Sequence, residues 1–441
     1  MDEKLNAPNR FFIWKWANLL AFSLMYITMY IGRYNFNTVL PQISEELGLS
    51  QTVEQLLYSS VFFAYALGCL VNGYLADTHR PKVLIAIGAS GSIFANIVMH
   101  FAGHWPVMLA ISLLNGYMQS ILWVSGIAIM VQWWKSEERG IAIGIANLSS
   151  SFSYLVMLIL PNLIFSSSPD DWRDKLLLPV LLLGFFTIVF CMVSRETPKS
   201  VRLLPYQETE EKRLEEEILE ATVAKEFFSV IYYFFKSKTL WCWCAIAFLS
   251  SLCRYGILTW IPMYYSTGSS EISFHHYMSN TGISIGMALG TLIIAFITGK
   301  YFNDNKGVAV TVCAGLCAAV VVVFPTMNSP LIAFIGMFFT GFFLFGINGL
   351  LWLYAMDSGT RIYAATITGI VNCFAYIGAT FETNIFSFVL NVSGKWIFVF
   401  VTIDIICIAM VLLGCLICKW GAQETIFPEH EEVLFDLIRQ R

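Results

Sequence analysis

The stretch RYNFNTVLP at residues 33–41 has a counterpart, RYGILTWIP, at residues 254–262. Both begin with Arg-Tyr, both end with proline, and both lie inside long apolar runs. Arginine keeps its proton, and a charge at the centre of a membrane helix costs between about 2.5 and 17 kcal/mol. Two such arginines at matching points predict two repeated halves that share an anion site. The alternative is that Arg33 and Arg254 pair with carboxylates or helix carbonyls and only hold the protein together.

The composition is that of a membrane protein. The chain is 57% hydrophobic and 13% charged, whereas soluble domains are about 25% charged. Its apolar runs are long and continuous rather than alternating, which favours membrane-spanning helices over barrel strands and predicts an all-α protein. The twelve predicted spans are 16–41, 53–76, 82–102, 105–133, 139–166, 174–194, 238–265, 273–299, 307–325, 330–356, 361–390 and 395–418.

These spans predict two pseudo-symmetric six-helix bundles. The expected domains are an N-terminal bundle at residues 1–194, a cytoplasmic linker at 195–237, a C-terminal bundle at 238–420 and a cytoplasmic tail at 421–441. The linker contains an acidic stretch, residues 208–220, that is expected to form a solvated helix.

The distribution of Lys and Arg predicts the orientation. Nearly all of them fall in the tails and in the loops on one side of the predicted spans. The loops on the other side carry only Arg173, Lys175 and Lys395. Positive charge is retained on the cytoplasmic side of membranes, so both termini are expected to be cytoplasmic.

The eleven cysteines lie in or beside the predicted spans. The pairs Cys242–Cys244 and Cys415–Cys418 have spacings that occur in metal sites, but inside apolar helical runs they are better explained as small buried side chains. We therefore expect no metal, no disulfide and no cofactor. The sequence has no nucleophile–base pair and no phosphate loop of the G-x-x-x-x-G-K type, which argues against an enzyme.

The end of the second span resembles a known family. Residues 73–82, GYLADTHRPK, resemble the signature loop of the major facilitator superfamily, and a degenerate copy, GKYFNDNK, occupies residues 299–306 after the eighth span. The resemblance implies the major facilitator fold. It also implies a cytoplasmic gate that includes Asp77 and Arg80, the alternative being a solvated charge cluster.

Two further internal repeats support this arrangement. The sequence GIAN at residues 144–147 matches GIVN at residues 369–372, and Asn115-Gly116 corresponds loosely to Asn348-Gly349. Repeated halves with a binding site between them are typical of secondary transporters.

Within the superfamily, the chain resembles the organophosphate:inorganic phosphate antiporters, which include glycerol-3-phosphate and hexose-6-phosphate transporters. Residues 254–262 carry most of this resemblance, and residues 133–140 (WWKSEERG) and 195–200 (RETPKS) add to it. The resemblance implies a secondary transporter that exchanges an organic phosphate for inorganic phosphate by alternating access. It places Arg33 and Arg254 on the two arginines that grip the phosphate in that family.

The same resemblance assigns further cavity positions and shows where this chain departs from the family. Tyr30, Tyr65, Gln119, Trp123 and Asn147 fall on matching cavity positions. Ionisable residues of the family are replaced by Tyr34, Cys69, Ser150, Thr259 and Ser284. The cavity is therefore expected to keep two fixed charges, with neutral hydrogen-bonding groups for the organic part of the substrate supplied by Ser150, Thr259, Ser284, Asn348, Tyr354 and Asn372.

Two acids within the spans leave the mechanism open. Glu382 and Asp404 are candidates for proton coupling, with structural hydrogen bonding as the alternative. A proton-coupled symporter of an organic carboxylate or sugar acid, and a transporter-like sensor of sugar phosphates, are the competing functions. The expected partners are a small phosphorylated anion, inorganic phosphate and the lipid bilayer, with no nucleic acid. We expect a monomer in the inner membrane of a bacterium.

Overall fold

The structure is a computed structural model in which residues 7–164, 172–206, 227–266, 274–302, 305–323 and 329–421 are described. In these ranges all regular structure is helical. The twelve long helices are α1 (Ala7–Leu47), α2 (Gln51–Thr78), α3 (Pro81–His100), α4 (Trp105–Trp133), α5 (Arg139–Ile164), α6 (Trp172–Val193), α7 (Lys238–Ser266), α8 (Phe274–Tyr301), α9 (Lys306–Val323), α10 (Pro330–Ser358), α11 (Ala364–Ser393) and α12 (Ile397–Gly421).

Eleven helices in the described part of the chain are long and apolar enough to cross a membrane. The remaining long helix, α5, packs between α1 and α8 as part of the same bundle. The all-α prediction with about twelve spans is confirmed. An apolar chain adopts helices in lipid because each backbone polar group must be satisfied within its own segment.

Local sequence signals explain where several helices begin and end. Proline occupies one of the first two positions of α3, α4 and α10, where its missing N–H breaks no helical hydrogen bond. The Ser50 side chain caps α2 by accepting a hydrogen bond from the backbone of Val53. Gly394 ends α11 with φ of 65°, a left-handed conformation that glycine adopts without strain.

The helix contacts repeat between the two halves of the chain. In the first half, α1 packs against α5 and α6, α2 against α4, and α3 against α4 and α6. In the second half, α7 packs against α11 and α12, α8 against α10, and α9 against α10 and α12. Adding six to each helix number of the first set gives the second set. The two halves are therefore two copies of one six-helix arrangement.

The halves meet chiefly along two helix pairs, α2 with α11 and α5 with α8. Glycines allow the backbones to approach closely there. A Cβ on Gly73 of α2 would lie 2.6 Å from the Ala365 carbonyl oxygen, and one on Gly140 of α5 would lie 2.3 Å from the Ala295 carbonyl oxygen. Both contacts are at the end of the molecule that carries the α2–α3 and α8–α9 connections, which we name the predicted cytoplasmic end. The two halves are closed against each other at that end.

The connection between the halves is partly described. It contains a short 3₁₀ turn at Pro198–Val201 and a nine-residue helix at Phe227–Phe235. The predicted solvated helix at residues 208–220 lies outside the described residues, as do positions 303–304 of the degenerate loop copy and most of the predicted tail.

Candidate functional site

A cavity lies between the two halves. Seven helices contribute to its wall, namely α1, α2, α4 and α5 from the first half and α7, α10 and α11 from the second. Tyr26, Tyr30 and Tyr34 are spaced four residues apart on α1 and so share one face of that helix. The cavity is lined by Tyr26, Tyr30, Tyr34, Tyr65, Trp123, Asn147, Ser150, Arg254, Tyr255, Leu258, Phe345, Asn348, Trp352, Asn372 and Tyr376.

Arg33 is buried beside the cavity. Its Nε donates to Gln119 Oε1 at 2.9 Å, and its Nη1 donates to the Tyr376 hydroxyl at 2.6 Å. Its guanidinium carbon lies 4.6 Å from the ring centroid of Tyr65 and 4.9 Å from that of Tyr30, within the range of cation–π attraction. Its Nη2 is buried without a hydrogen-bond partner. Arg33 is not itself among the described residues that line the cavity, whereas Tyr30 and Tyr65, which contact its guanidinium, are.

Arg254 lines the cavity directly from α7. Its Nη2 donates to Ser251 Oγ at 3.2 Å, one turn earlier on the same helix. Its guanidinium carbon lies 5.0 Å from the ring centroid of Phe345 and 5.4 Å from that of Tyr255. Its Nε is buried without a hydrogen-bond partner. This arginine keeps hydrogen-bonding capacity that its own half does not use.

Neither cation has a counter-ion within the described ranges. The ion pairs found there join other residues, and none includes Arg33 or Arg254. Glu382 is fully buried on α11 and accepts from the Thr383 hydroxyl at 2.6 Å. Asp404 is half-buried on α12, which contributes nothing to the described cavity wall. A buried charge without a partner is costly, so the pair of arginines favours the entry of an anion.

Asparagines from both halves form one polar patch of the wall. Asn348 Nδ2 of α10 donates to Asn147 Oδ1 of α5 at 3.3 Å, which links the two halves. Asn372 of α11, the repeat partner of Asn147, also lines the cavity, and its Oδ1 is buried without a partner. Together with the exposed edge of Ser150, these groups offer neutral hydrogen bonds to a ligand.

Apart from Leu258, the rest of the wall is aromatic. Trp123 stacks on Tyr26 with ring centroids 5.2 Å apart, and meets Trp352 of the other half edge-on at 5.5 Å. Such faces pack against the apolar side of a sugar ring or a carbon chain. The cavity therefore combines cationic, neutral polar and aromatic surface, and it has no acid, lysine or histidine among its described lining residues.

Besides Arg33, four of the expected site residues lie outside the described cavity wall. Gln119 instead accepts from Arg33 and donates to Asn115 Oδ1 at 3.1 Å, so it orients the arginine. Thr259 is exposed and donates to Glu382 at 3.5 Å. The Ser284 hydroxyl is fully buried against the Asn280 carbonyl of its own helix. Tyr354 stacks on Trp243 with ring centroids 4.6 Å apart.

Several lining residues were not assigned to the site from the sequence, namely Tyr26, Tyr34, Tyr255, Leu258, Phe345, Trp352 and Tyr376. The four-residue spacing from Tyr26 through Tyr30 to Tyr34 is a signal that could have found two of them. Nothing local marks Tyr376, because its role comes from the approach of α11 to α1 and α2.

At the predicted cytoplasmic end, Asp77 joins the halves. Its carboxylate accepts from the backbone N–H groups of Ala365 and Thr366 at 3.1 and 2.6 Å, and from the Thr366 hydroxyl at 2.7 Å. These donors are the first turn of α11, where the helix dipole favours a negative charge. Arg80 takes no part in this contact. It is largely exposed and pairs with Glu196 at the start of the linker at 3.3 Å.

A second polar cluster at that end is centred on Asp357 of α10. Asp357 accepts a hydrogen bond from Arg139 Nη1 of α5 at 2.7 Å and forms an ion pair with Lys306 Nζ of α9 at 2.9 Å. Tyr206 of the linker extends the cluster by donating to the Val131 carbonyl at 2.7 Å. The Arg361 guanidinium lies 4.0 Å from the Tyr206 ring centroid. None of these contacts was expected from the sequence, because each joins residues that are far apart along the chain.

Comparison with known proteins agrees with the fold and the resemblance. The family model described as Major Facilitator Superfamily matches residues 22–381. The Glycerol-3-phosphate transporter of Haemophilus influenzae is 25% identical over 408 residues, covering 83% of each chain. The Membrane sensor protein UhpC of Escherichia coli is 23% identical over 390 residues, covering 86% of this chain and 87% of that protein.

A solved structure supports the architecture independently of sequence. The proton:xylose symporter XylE superimposes with a TM-score of 0.68 at 12% identity, covering 92% of this chain and 96% of that chain. At this identity the likeness shows the fold alone. The family match, the relatives and the fold agree. They indicate that this protein is of the membrane transporter class and is not an enzyme. The chain belongs to the Major Facilitator Superfamily.

Proposed function

We propose that this protein is a secondary transporter that exchanges an organic phosphate for inorganic phosphate. The observation that carries the proposal is the pair of buried arginines, one per half, that has no counter-ion in the described part of the chain. A guanidinium binds two oxygens of a phosphate at once, and two guanidiniums match a doubly charged phosphoryl group. The glycerol-3-phosphate transporter among the relatives supports this substrate class.

The neutral and aromatic parts of the wall fit the organic portion of such a substrate. Asn147, Asn348, Asn372 and Ser150 line the cavity with groups that hydrogen-bond to hydroxyls. Trp123 offers an apolar face for a sugar ring or glycerol backbone. A second acidic group on the substrate would find only the two arginines, so we expect a single phosphate on an uncharged organic part.

The same two charges explain obligatory exchange. When the halves rearrange around an empty site, both cations remain without a counter-ion in a cavity of low dielectric constant. A bound anion removes that penalty. Reorientation is therefore expected to be fast with either phosphate species bound and slow without one.

The test is phosphate exchange in proteoliposomes. Arg33→Lys and Arg254→Lys keep the charge but lose the planar fork, so each is expected to lower exchange of radiolabelled inorganic phosphate by at least about tenfold. Arg173→Lys is the matched control, since Arg173 pairs with Glu46 at 2.9 Å away from the cavity. Exchange by both cavity variants at the parental rate would refute the arginine clamp.

A sensor is the second candidate function, and the UhpC relative favours it. A sensor would bind the phosphorylated ligand without moving it. A ligand that raises the melting temperature of the protein, combined with no exchange in proteoliposomes, would select this function.

Proton-coupled symport of an organic carboxylate or sugar acid is the third candidate function. The observation behind it is the buried carboxylate of Glu382, whose Oε2 has no hydrogen-bond partner. Uptake driven by an imposed pH gradient, and lost in Glu382→Gln, would select it over exchange.

We further propose that the protein resides as a monomer in a bacterial inner membrane with both termini in the cytoplasm. The bacterial relatives and the distribution of Lys and Arg support this orientation. Labelling of a single cysteine introduced at exposed His79 by a membrane-impermeant reagent tests it. The reagent is expected to react in inverted vesicles and not in intact cells.

A further inference from the structure

Tyr376 joins the two halves at the centre of the site. It belongs to α11, and its hydroxyl accepts a hydrogen bond from Arg33 Nη1 of α1 at 2.6 Å. Its ring stacks on Tyr65 of α2, with centroids 4.0 Å apart and planes 26° apart. The ring and the hydroxyl thus contact two helices of the opposite half. Hydrogen bonds from a charged donor are roughly twice as strong as neutral ones, so this is a substantial contact between the halves.

The same hydroxyl occupies one of the N–H donors of Arg33 that an anion would need for a two-point contact. The terminal edge of the guanidinium fork consists of Nη1 and Nη2, and Tyr376 holds Nη1 while Nη2 has no partner. On the remaining side, Nε is held by Gln119. Tyr376 also lines the cavity, whereas Arg33 is not among the described lining residues. An anion in the cavity can therefore take the terminal edge of Arg33 only after the Tyr376 hydroxyl leaves it.

We propose that Tyr376 is a placeholder for the anion on Arg33, and that its displacement couples anion binding to the release of α11 from the first half. The inference rests on the proposed function, because it assumes that the cavity receives a phosphate. Tyr376 acts through Arg33 and is a positioning residue. In the empty protein its hydroxyl satisfies the buried cation and ties α1 to α11. When phosphate arrives, its charged oxygens replace the neutral hydroxyl and the tie between the halves is lost.

The first measurement is the affinity for inorganic phosphate, by isothermal titration of the purified protein. Tyr376→Phe keeps the stacked ring but removes the competing hydroxyl, so it is expected to bind phosphate about tenfold more tightly than the parent. Tyr58→Phe is the matched control, because Tyr58 lies in the same aromatic cluster on α2 but outside the described cavity wall. Its affinity should equal that of the parent. An unchanged or weaker affinity in Tyr376→Phe would overturn the proposal, since it would make the hydroxyl a bystander or a direct ligand.

The second measurement needs no ligand. In phosphate-free buffer, the thermal stabilities of Tyr376→Phe, Arg33→Lys and the double variant form a cycle. The double variant is expected to be more stable than the two single effects predict, because each single variant already loses the shared bond. Additive effects would overturn the tie between the halves.

The two measurements separate this inference from the proposed function. A parent protein that binds no inorganic phosphate and exchanges none refutes the proposed function. A parent protein that binds phosphate, with a Tyr376→Phe variant that binds it no better, refutes the placeholder alone.

Discussion

At the scale of single residues, the site is built from fixed charge and neutral neighbours. Arg254 lines the cavity, while Arg33 contacts the lining residues Tyr30, Tyr65 and Tyr376. No described lining residue carries a negative charge. In a partly desolvated cavity an added charge is felt more strongly than in water, so the balance of two cations against no anion should control affinity.

This balance can be tested at Asn147, which has nearly the shape of aspartate. Asn147→Asp would place a carboxylate on the cavity wall that Arg254 shares. At an effective dielectric constant of 20, two unit charges about 6 Å apart interact by about 3 kcal/mol. We therefore expect Asn147→Asp to weaken phosphate binding at pH 7 by at least about tenfold.

The control for this variant is Asn147→Ala, which removes the hydrogen bond to Asn348 without adding a charge. Equal losses in the two variants, measured by titration with inorganic phosphate, would show that the hydrogen bond matters and that the charge balance does not.

At the scale of helices, the closed end is joined by one carboxylate of α2, which binds the first turn of α11. Asp77 accepts three hydrogen bonds from Ala365 and Thr366, across the boundary between the halves. The resemblance implied a cytoplasmic gate that includes Asp77 and Arg80, whereas Arg80 bonds to Glu196 at the start of the linker. The latch partner is therefore the end of a helix rather than a basic side chain, which is why charge patterning along the chain could not identify it.

Asp77→Asn should weaken this contact. The amide retains one oxygen but loses the charge that favours a helix N-terminus, at a cost of about 0.5–2 kcal/mol. Hydrogen exchange in the first turn of α11, residues 364–368, is expected to become several-fold faster.

Arg80→Gln serves as the comparison for that measurement, because it breaks an exposed ion pair with an expected contribution of about 0–1 kcal/mol. Faster exchange at residues 364–368 in Arg80→Gln, and not in Asp77→Asn, would contradict the assignment of the latch.

At the scale of the whole molecule, closure of the predicted cytoplasmic end requires the halves to touch through backbone. Gly73 and Gly369 face each other on α2 and α11, and a Cβ on Gly369 would lie 2.3 Å from the Cys69 carbonyl oxygen. The backbone of α2 or of α11 could make room for a Cβ here only if the whole helix moved. The pair α5 and α8 makes the repeat-related contact through Gly140. Alternating access in a two-half protein depends on such contacts forming and separating.

Gly369→Ala is expected to hold that end partly open. Overpacking of this kind costs about 1–3 kcal/mol, and separating the halves relieves it. Spin labels on exposed His79 and Lys300, which lie in opposite halves, should report a longer mean distance than in the parent.

Gly184→Ala is the matched control, because a Cβ at Gly184 would lie 3.8 Å from its nearest neighbour, the terminal side-chain carbon of Ile93. A parental distance distribution in Gly369→Ala, or the same shift in Gly184→Ala, would show that the glycine contact does not control closure.

The sequence by itself determined the helices, the repeat and the two arginines. Apolar runs in lipid must become helices because no water satisfies their backbone, so hydropathy suffices to locate them. The charges of Arg33 and Arg254 are conspicuous in such runs wherever the helices finally pack. Asn147 and Asn372 could be paired for the same reason, because the GIAN and GIVN repeats are local patterns.

Only the tertiary structure decided which side chains meet across the boundary between the halves. It placed Tyr376 on Arg33, directed Asp77 to the start of α11, and left Thr259, Ser284 and Tyr354 outside the described cavity wall. These outcomes depend on the rotation of each helix about its axis and on the approach of residues that are hundreds of positions apart. Local hydropathy and spacing predict neither the rotation of a helix nor its distant neighbours. A span that is apolar on most faces fits a bundle in several rotations about its axis. Packing between the halves selects one of these rotations.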